Sequence, residues 1–186
     1  MNPLSTPNLS TKELGGRNLY LVGMMGSGKS ITGPILASKL SYRFVDVDKV
    51  VEELAQKNIS DIFNQDGEHA FRDIETQVLK EIGQRHSLVV ATGGGIVIKS
   101  ENWGILHQGV VVWLNPNRSI NLTRLNADKP IRPLLKKNLV QDFDDLFNKR
   151  KSLYLEADLH VPINQETPDE VADLILEHLE SIINEP

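Results

Sequence analysis

No cysteine occurs in the 186 residues, so no disulfide, thiolate zinc site or cysteine nucleophile can contribute. That absence fits a reducing compartment, and a cytoplasmic location is expected. Long apolar runs are missing too. None approaches the roughly 20 residues of a membrane-spanning helix, so no membrane partner is expected. An excess of positive charge is also lacking: 20 Lys and Arg stand against 25 Asp and Glu, a net charge of -5. A nucleic-acid partner needs a basic footprint and is therefore not expected. Any anion site must be a local positive cluster. There is no internal repeat, low-complexity tract or linker of domain-separating length, and a chain of this size fits one domain.

Residues 1–16 are rich in Ser, Thr, Asn and Pro, lack an apolar signal region and carry one basic residue, Lys12. They read as a flexible tail, shorter and poorer in arginine than a transit peptide, before a single domain over 17–186. Within that domain short apolar runs alternate with helical patterns, the signature of an α/β protein with a buried parallel sheet. Five strands are expected: Leu19 to Val22, Phe44 with Val45, Leu88 to Ala91, Val110 to Leu114 and Leu159 to Ile163. Helices are expected over 31–40, 50–56, 68–82, 102–107, 119–126 and 143–154. In 68–82 the apolar residues Phe71, Ile74, Val78, Leu79 and Ile82 recur at three and four and should face inward. A final helix to about Ile183 has a clear start: Thr167 as cap, Pro168 at the first position, Glu170 closing a capping box. Residues 127–138 lack periodicity, contain two prolines and read as a mobile loop.

The segment from Gly23 to Ser30 spells G-x-x-x-x-G-K-[ST] between the strand at Leu19 to Val22 and a helical stretch. In that context the loop N–H groups and the helix N-terminus converge on an anion. Lys29 can then reach β and γ phosphates, and the Ser30 hydroxyl can ligate Mg²⁺. A Gly-rich turn that binds nothing is the plainer alternative. Pro34, inside the following helix, predicts a local kink because it lacks an N–H and crowds the Ser30 carbonyl. Gly33 beside it would allow close approach to the sheet.

A phosphate cradle alone fits kinases, GTPases, motors and regulatory ATPases. Four further segments narrow the choice. Asp46 and Asp48 stand two apart at a strand end, on one face of an extended segment; they could serve Mg²⁺ and a hydroxyl-bearing substrate, or Asp48 could simply cap the next helix. Arg72 has Glu68 four residues before and Glu75 three after, which would hold its guanidinium on the helix surface. It could capture a substrate carboxylate or make an ordinary surface ion pair. Gly93, Gly94 and Gly95 follow a strand at the end where α/β proteins place ligands, although a plain turn would also use a glycine there. Arg124, Lys129, Arg132, Lys136 and Lys137 oppose only Asp128, giving a basic loop that could close over ATP. The five histidines show no metal-ligand spacing, and Trp103 and Trp113 sit in apolar contexts.

In this order, from about residue 18 to 175, these segments resemble the shikimate kinase family. The resemblance implies a three-layer α/β/α P-loop kinase fold of the nucleoside-monophosphate-kinase type, with a five-stranded parallel sheet, a small helical substrate-binding region at about 46–80 and a mobile lid at about 124–138. It implies ATP and Mg²⁺ at Gly26, Ser27, Gly28, Lys29, Ser30 and Ile31, with Ser30 on the metal and Asp46 supporting it through water. Asp48, Arg72, Gly94, Gly95 and Arg150 match its shikimate-binding positions, Arg150 as the second carboxylate-binding arginine. Arg132 matches the lid residue over the phosphates, and Arg124 the one near adenine. Lys29, Asp48 and Arg132 would carry catalysis. Pro34 departs from the basic residue often found after that glycine. The implied reaction is transfer of the ATP γ-phosphoryl group to the 3-hydroxyl of shikimate, in aromatic amino-acid biosynthesis, by a monomer. The rivals are a P-loop kinase for another hydroxy acid such as gluconate and a non-catalytic nucleotide-binding module, which would leave the second carboxylate-binding set idle.

Overall fold

The computed structural model describes residues 14–127, 133–135 and 138–183. Five parallel strands form one sheet in the order β2-β3-β1-β4-β5. The inner strands β1 (Leu19–Val22), β3 (Leu88–Ala91) and β4 (Val110–Pro116) are buried almost throughout. Alternate β1 side chains divide between two cores, Leu19 and Leu21 on one face and Tyr20 and Val22 on the other, as a strand period of two requires of a sheet covered on both sides. The edges differ. In β5 (Leu159–Ile163) Leu159, Val161 and Ile163 point inward while His160 and Pro162 are exposed, and an edge is where a strand tolerates proline. The other edge is β2 (Arg43–Asp46).

One face carries α1 (Lys29–Lys39) and α8 (Pro168–Ile183). The other carries α2 (Val47–Ala55), α3 (Ile59–Gln65), α4 (Gly67–Gly83), α5 (Ser100–Leu106), α6 (Arg118–Ala127) and α7 (Leu139–Tyr154). This is a three-layer α/β/α architecture. The α8 capping box forms as its sequence specifies: Thr167 N–H donates to Glu170 Oε2 at 2.8 Å and Glu170 N–H to Thr167 Oγ1 at 3.3 Å. α1 runs from Lys29 to Lys39 across Pro34, and a Cβ on Gly33 would run into the Phe44 ring of β2.

Four sequence expectations need correction. Leu14, assigned to the opening tail, is fully buried, and Gly16 C=O accepts from Ser87 N–H at 2.8 Å, so packed structure begins before residue 17. Asp46 and Asp48 do not share an extended segment; Asp46 ends β2 and caps α2, and Asp48 lies in the first turn. Arg72 is not on an exposed helix surface, because α4 buries Arg72, Glu75 and Thr76 together with its apolar face. Finally, α3 is a helix that hydrophobic periodicity alone did not announce. Its start signal is Asn58, whose side chain accepts from Asp61 N–H at 2.8 Å.

Candidate active site

Four chain segments meet at the carboxyl ends of the parallel strands: the loop after β1, the β2–α2 junction, the glycines after β3 and one end of α7. After β1 the chain turns through Gly23, Gly26 and Gly28, with φ of 143°, 75° and 98°, values that only glycine adopts without strain. Gly28 caps α1 without a side chain, so the first-turn N–H groups face the loop with no side-chain acceptor on them. Lys29 folds back beneath: its Nζ donates to the carbonyls of Gly23 and Met24, each at 2.9 Å, and to Ser27 Oγ at 3.1 Å. A fixed ammonium under a ring of amides is an anion cradle, and the donor set fits a polyphosphate. Ser30 Oγ donates to Asp46 Oδ2 at 2.7 Å, pairing a hydroxyl and a carboxylate beside the cradle. Hard oxygens of this kind suit Mg²⁺, which takes one or two protein ligands and keeps water and phosphate for the rest. Arg124 Nη1 donates to Gly26 C=O at 3.2 Å, and with Ser27, Gly28 and Ile31 it lines a cavity of about 210 Å³.

A larger cleft of about 530 Å³ lies alongside, with Asp48, Arg72, Gly93, Gly94, Gly95 and Arg150 in its walls. Arg72 is held by Glu75 Oε2 at 2.8 Å and Glu68 Oε1 at 3.1 Å and lies over the Phe71 ring. Two glycines of the triplet, Gly93 and Gly95, are required by space. A Cβ on Gly95 would strike the Arg72 guanidinium, and one on Gly93 would strike Glu75 Oε1 and crowd Asp48 Oδ1. From the opposite wall Arg150, 3% exposed, donates to Gly94 C=O at 3.2 Å. The sequence-singled residues Asp48, Arg72, Gly94, Gly95 and Arg150 therefore line one cleft, and Gly94 abuts Gly23 and Met25 of the phosphate loop. Arg132, with Lys129, Lys136 and Lys137, lies outside the described residues; Pro133 and Leu134 reach the rim of the cleft.

Loss of solvation, reinforced by the charges of Glu75 and Asp46, raises Asp48 to about 6 despite the opposing Lys29 and Arg72. It is ionised at neutral pH yet close to titration. Glu75 is fully buried and also raised, by burial first, against the pull of Arg72. Two polar atoms in this cluster, Glu75 Oε1 and Arg72 Nε, have no partner among the described residues. Burial pushes Tyr154 up to about 12, so its hydroxyl stays a donor.

Sequence reading missed three contributors. Glu75 was noted only as a partner for Arg72, and α3, which was not expected as a helix, supplies Ile59 and Phe63 to the cleft. Tyr154 also escaped notice, although its spacing of four from Arg150 puts both on one face of α7. Among the described residues no group of three or more His, Asp or Glu side chains is placed to hold a metal. Trp103 and Trp113 are core residues.

A parallel sheet with a phosphate cradle after β1 and a second, two-arginine cleft beside it fits a P-loop phosphotransferase. The family model described as shikimate kinase matches residues 25–180. A curated shikimate kinase of Prochlorococcus marinus (strain MIT 9211) is 61% identical over 183 residues, spanning 98% of this chain and 93% of the relative. The solved shikimate kinase from Acinetobacter baumannii in complex with shikimate superposes with a TM-score of 0.89 at 37% identity, covering 95% of this chain and 100% of the other. This chain belongs to the shikimate kinase family and is an ATP-dependent kinase with an alcohol group as acceptor. A gluconokinase from Sinorhizobium meliloti aligns at 17% identity with a TM-score of 0.54, covering 90% of this chain and 95% of the other, a likeness of fold alone.

Proposed function

We propose that the 530 Å³ cleft binds shikimate with its carboxylate between Arg72 and Arg150 and its ring hydroxyls at Asp48, and that the 3-hydroxyl is phosphorylated there. The observation that carries this reading is that two buried arginines bracket Gly94 and Gly95 in the same cleft as Asp48, against the phosphate loop. Two guanidiniums beside backbone N–H groups form a carboxylate receptor. Asp48 accepts hydrogen bonds from hydroxyls and, raised to about 6, is a competent proton acceptor at neutral pH.

In the reaction the 3-hydroxyl oxygen forms a bond to the γ-phosphorus as the bond from that phosphorus to the ADP oxygen breaks, and the hydroxyl proton passes to Asp48. Lys29 and the loop N–H groups spread charge growing on the phosphate oxygens, so the protein contributes mainly position and electrostatics. Mg²⁺, when bound, would draw charge from the β and γ phosphates, held by Ser30 and through water by Asp46. Ile31 and Arg124 border the smaller cavity, which we assign to the nucleoside. Arg132 is assigned to a lid over the phosphates. Among the described residues no helix is long and apolar enough to cross a membrane; a monomer working in the cytoplasm is kept as part of this proposal.

An ADP-release assay offering shikimate, gluconate and AMP separately tests the reading. Turnover with shikimate alone is expected. Equal turnover with gluconate would remove the acceptor assignment, and ATP hydrolysis unaffected by any acceptor would favour a nucleotide-binding module.

A further inference from the structure

The hydroxyl of Tyr154 is buried at the centre of the molecule and has no part in the chemistry described so far. The side chain is 0% exposed, its ring stacks on Trp113 at 5.6 Å, and its Oη lies 3.6 Å from Met24 Sδ in the phosphate loop. Its donated hydrogen bond goes to Gly94 C=O at 2.5 Å, and Arg150 Nη1, one helical turn earlier on α7, donates to the same oxygen at 3.2 Å. Two donors from one helix therefore fix a single carbonyl.

That carbonyl belongs to the peptide unit joining Gly94 and Gly95, which is trans and planar, as no cis bond occurs among the described residues. In a trans unit the C=O and N–H point in opposite directions. Pinning Gly94 O toward α7 thus turns Gly95 N–H away from α7, on the stretch that lines the cleft beside Arg72. Among the described residues no acceptor lies on that N–H; the neighbouring turn is closed by Ile96 N–H to Gly93 C=O and Ile98 N–H to Gly95 C=O, each at 3.1 Å. Glycine on both sides leaves the unit free to rotate, so its orientation must come from outside the loop. An accepting carbonyl also polarises the N–H of its own unit, strengthening it as a donor.

We propose that Tyr154 is a positioning residue for acceptor recognition: by holding Gly94 C=O it aims the Gly95 N–H at the substrate carboxylate and completes the receptor formed by Arg72 and Arg150. This rests on the placement of the carboxylate between those arginines.

The test is Tyr154→Phe, which removes one oxygen and keeps the ring stacked on Trp113. Calorimetry is run on parent and variant with shikimate, with its C1 hydroxymethyl analogue, which lacks the carboxylate, and with a non-hydrolysable ATP analogue. The parent is expected to bind the hydroxymethyl analogue more weakly than shikimate. Tyr154→Phe is expected to weaken shikimate roughly five- to tenfold while leaving the hydroxymethyl and ATP analogues unchanged, and in kinetics to raise the KM for shikimate far more than it lowers kcat. If the variant weakens shikimate and the hydroxymethyl analogue equally, the tyrosine only supports packing and the proposal is overturned. Unchanged shikimate affinity overturns it as well. A parent that binds both acceptors equally well would instead remove the carboxylate placement itself, which separates the two failures.

Discussion

The phosphate cradle and the acceptor cleft touch at Gly23 and Gly94, yet the chain builds them in opposite ways. The cradle is a run of consecutive residues from Gly23 to Ser30, and its lysine is tied to carbonyls of the same loop. The cleft draws Asp48 from α2, Arg72 from α4, the glycines from the end of β3 and Arg150 from α7. Polyphosphate recognition is thus a local property, set by glycine conformation and one ammonium. Acceptor recognition, as proposed, is a tertiary property that exists only when α4 and α7 both reach the glycine loop. Local sites transfer between functions unchanged, while assembled sites carry specificity.

The largest effect expected on either region comes from the cradle. Lys29→Met should keep the fold and lower turnover about a thousandfold, because it removes charge stabilisation that grows in the transition state; steady-state kinetics on the folded variant checks this, and near-normal turnover would dissolve the distinction between the two regions. Next comes Asp48, on the boundary. Asp48→Asn should bind shikimate but turn over about a hundredfold more slowly if the carboxylate accepts the proton. Asp48→Ala should lose affinity and rate together. Should Asp48→Asn keep appreciable turnover, the residue positions the ring and is not the base.

Within the cleft, Arg72→Ala and Arg150→Ala should each weaken shikimate by roughly ten- to a hundredfold, the loss of a charge-assisted hydrogen bond of about 1.5 to 3 kcal/mol. Unchanged affinity in both would return them to structural roles. The smallest expected effect is on pH dependence. Asp48 is raised to about 6, so kcat/KM should fall as pH drops through about 6, where the carboxylate becomes protonated, and level off above it. Glu75 contributes to that rise, and Glu75→Gln still offers Arg72 an acceptor. Its acid limb should therefore move to lower pH. A limb that does not move would mean that the Glu75 charge has no part in raising Asp48.

The same contrast governs what the sequence disclosed. β1, β3 and β5 were legible to the residue, because short apolar or alternating runs bounded by glycine or polar residues leave little freedom. The cradle was legible because motif, strand and helix are contiguous. For the cleft, each arginine and glycine could be named, but their meeting followed only from resemblance, since no local pattern brings α7 to the loop after β3. The misreadings have three causes: packing, capping and helix length. Arg72 and Glu75 look like a surface i,i+3 pair, and only the packing of α4 shows them buried. Asp46 and Asp48 look like one strand face until Asp46 caps α2 through Asp48 N–H at 3.1 Å. In α3 the cap at Asn58 was the available signal, in a helix too short for periodicity to stand out.

The division between a local nucleotide site and an assembled acceptor site is tested most directly by crossing two variants with two ligands in calorimetry. The account predicts that Lys29→Met binds shikimate like the parent, and that Arg150→Ala binds a non-hydrolysable ATP analogue like the parent while losing shikimate. The reverse pattern, with Arg150→Ala losing the nucleotide analogue and keeping shikimate, would contradict it.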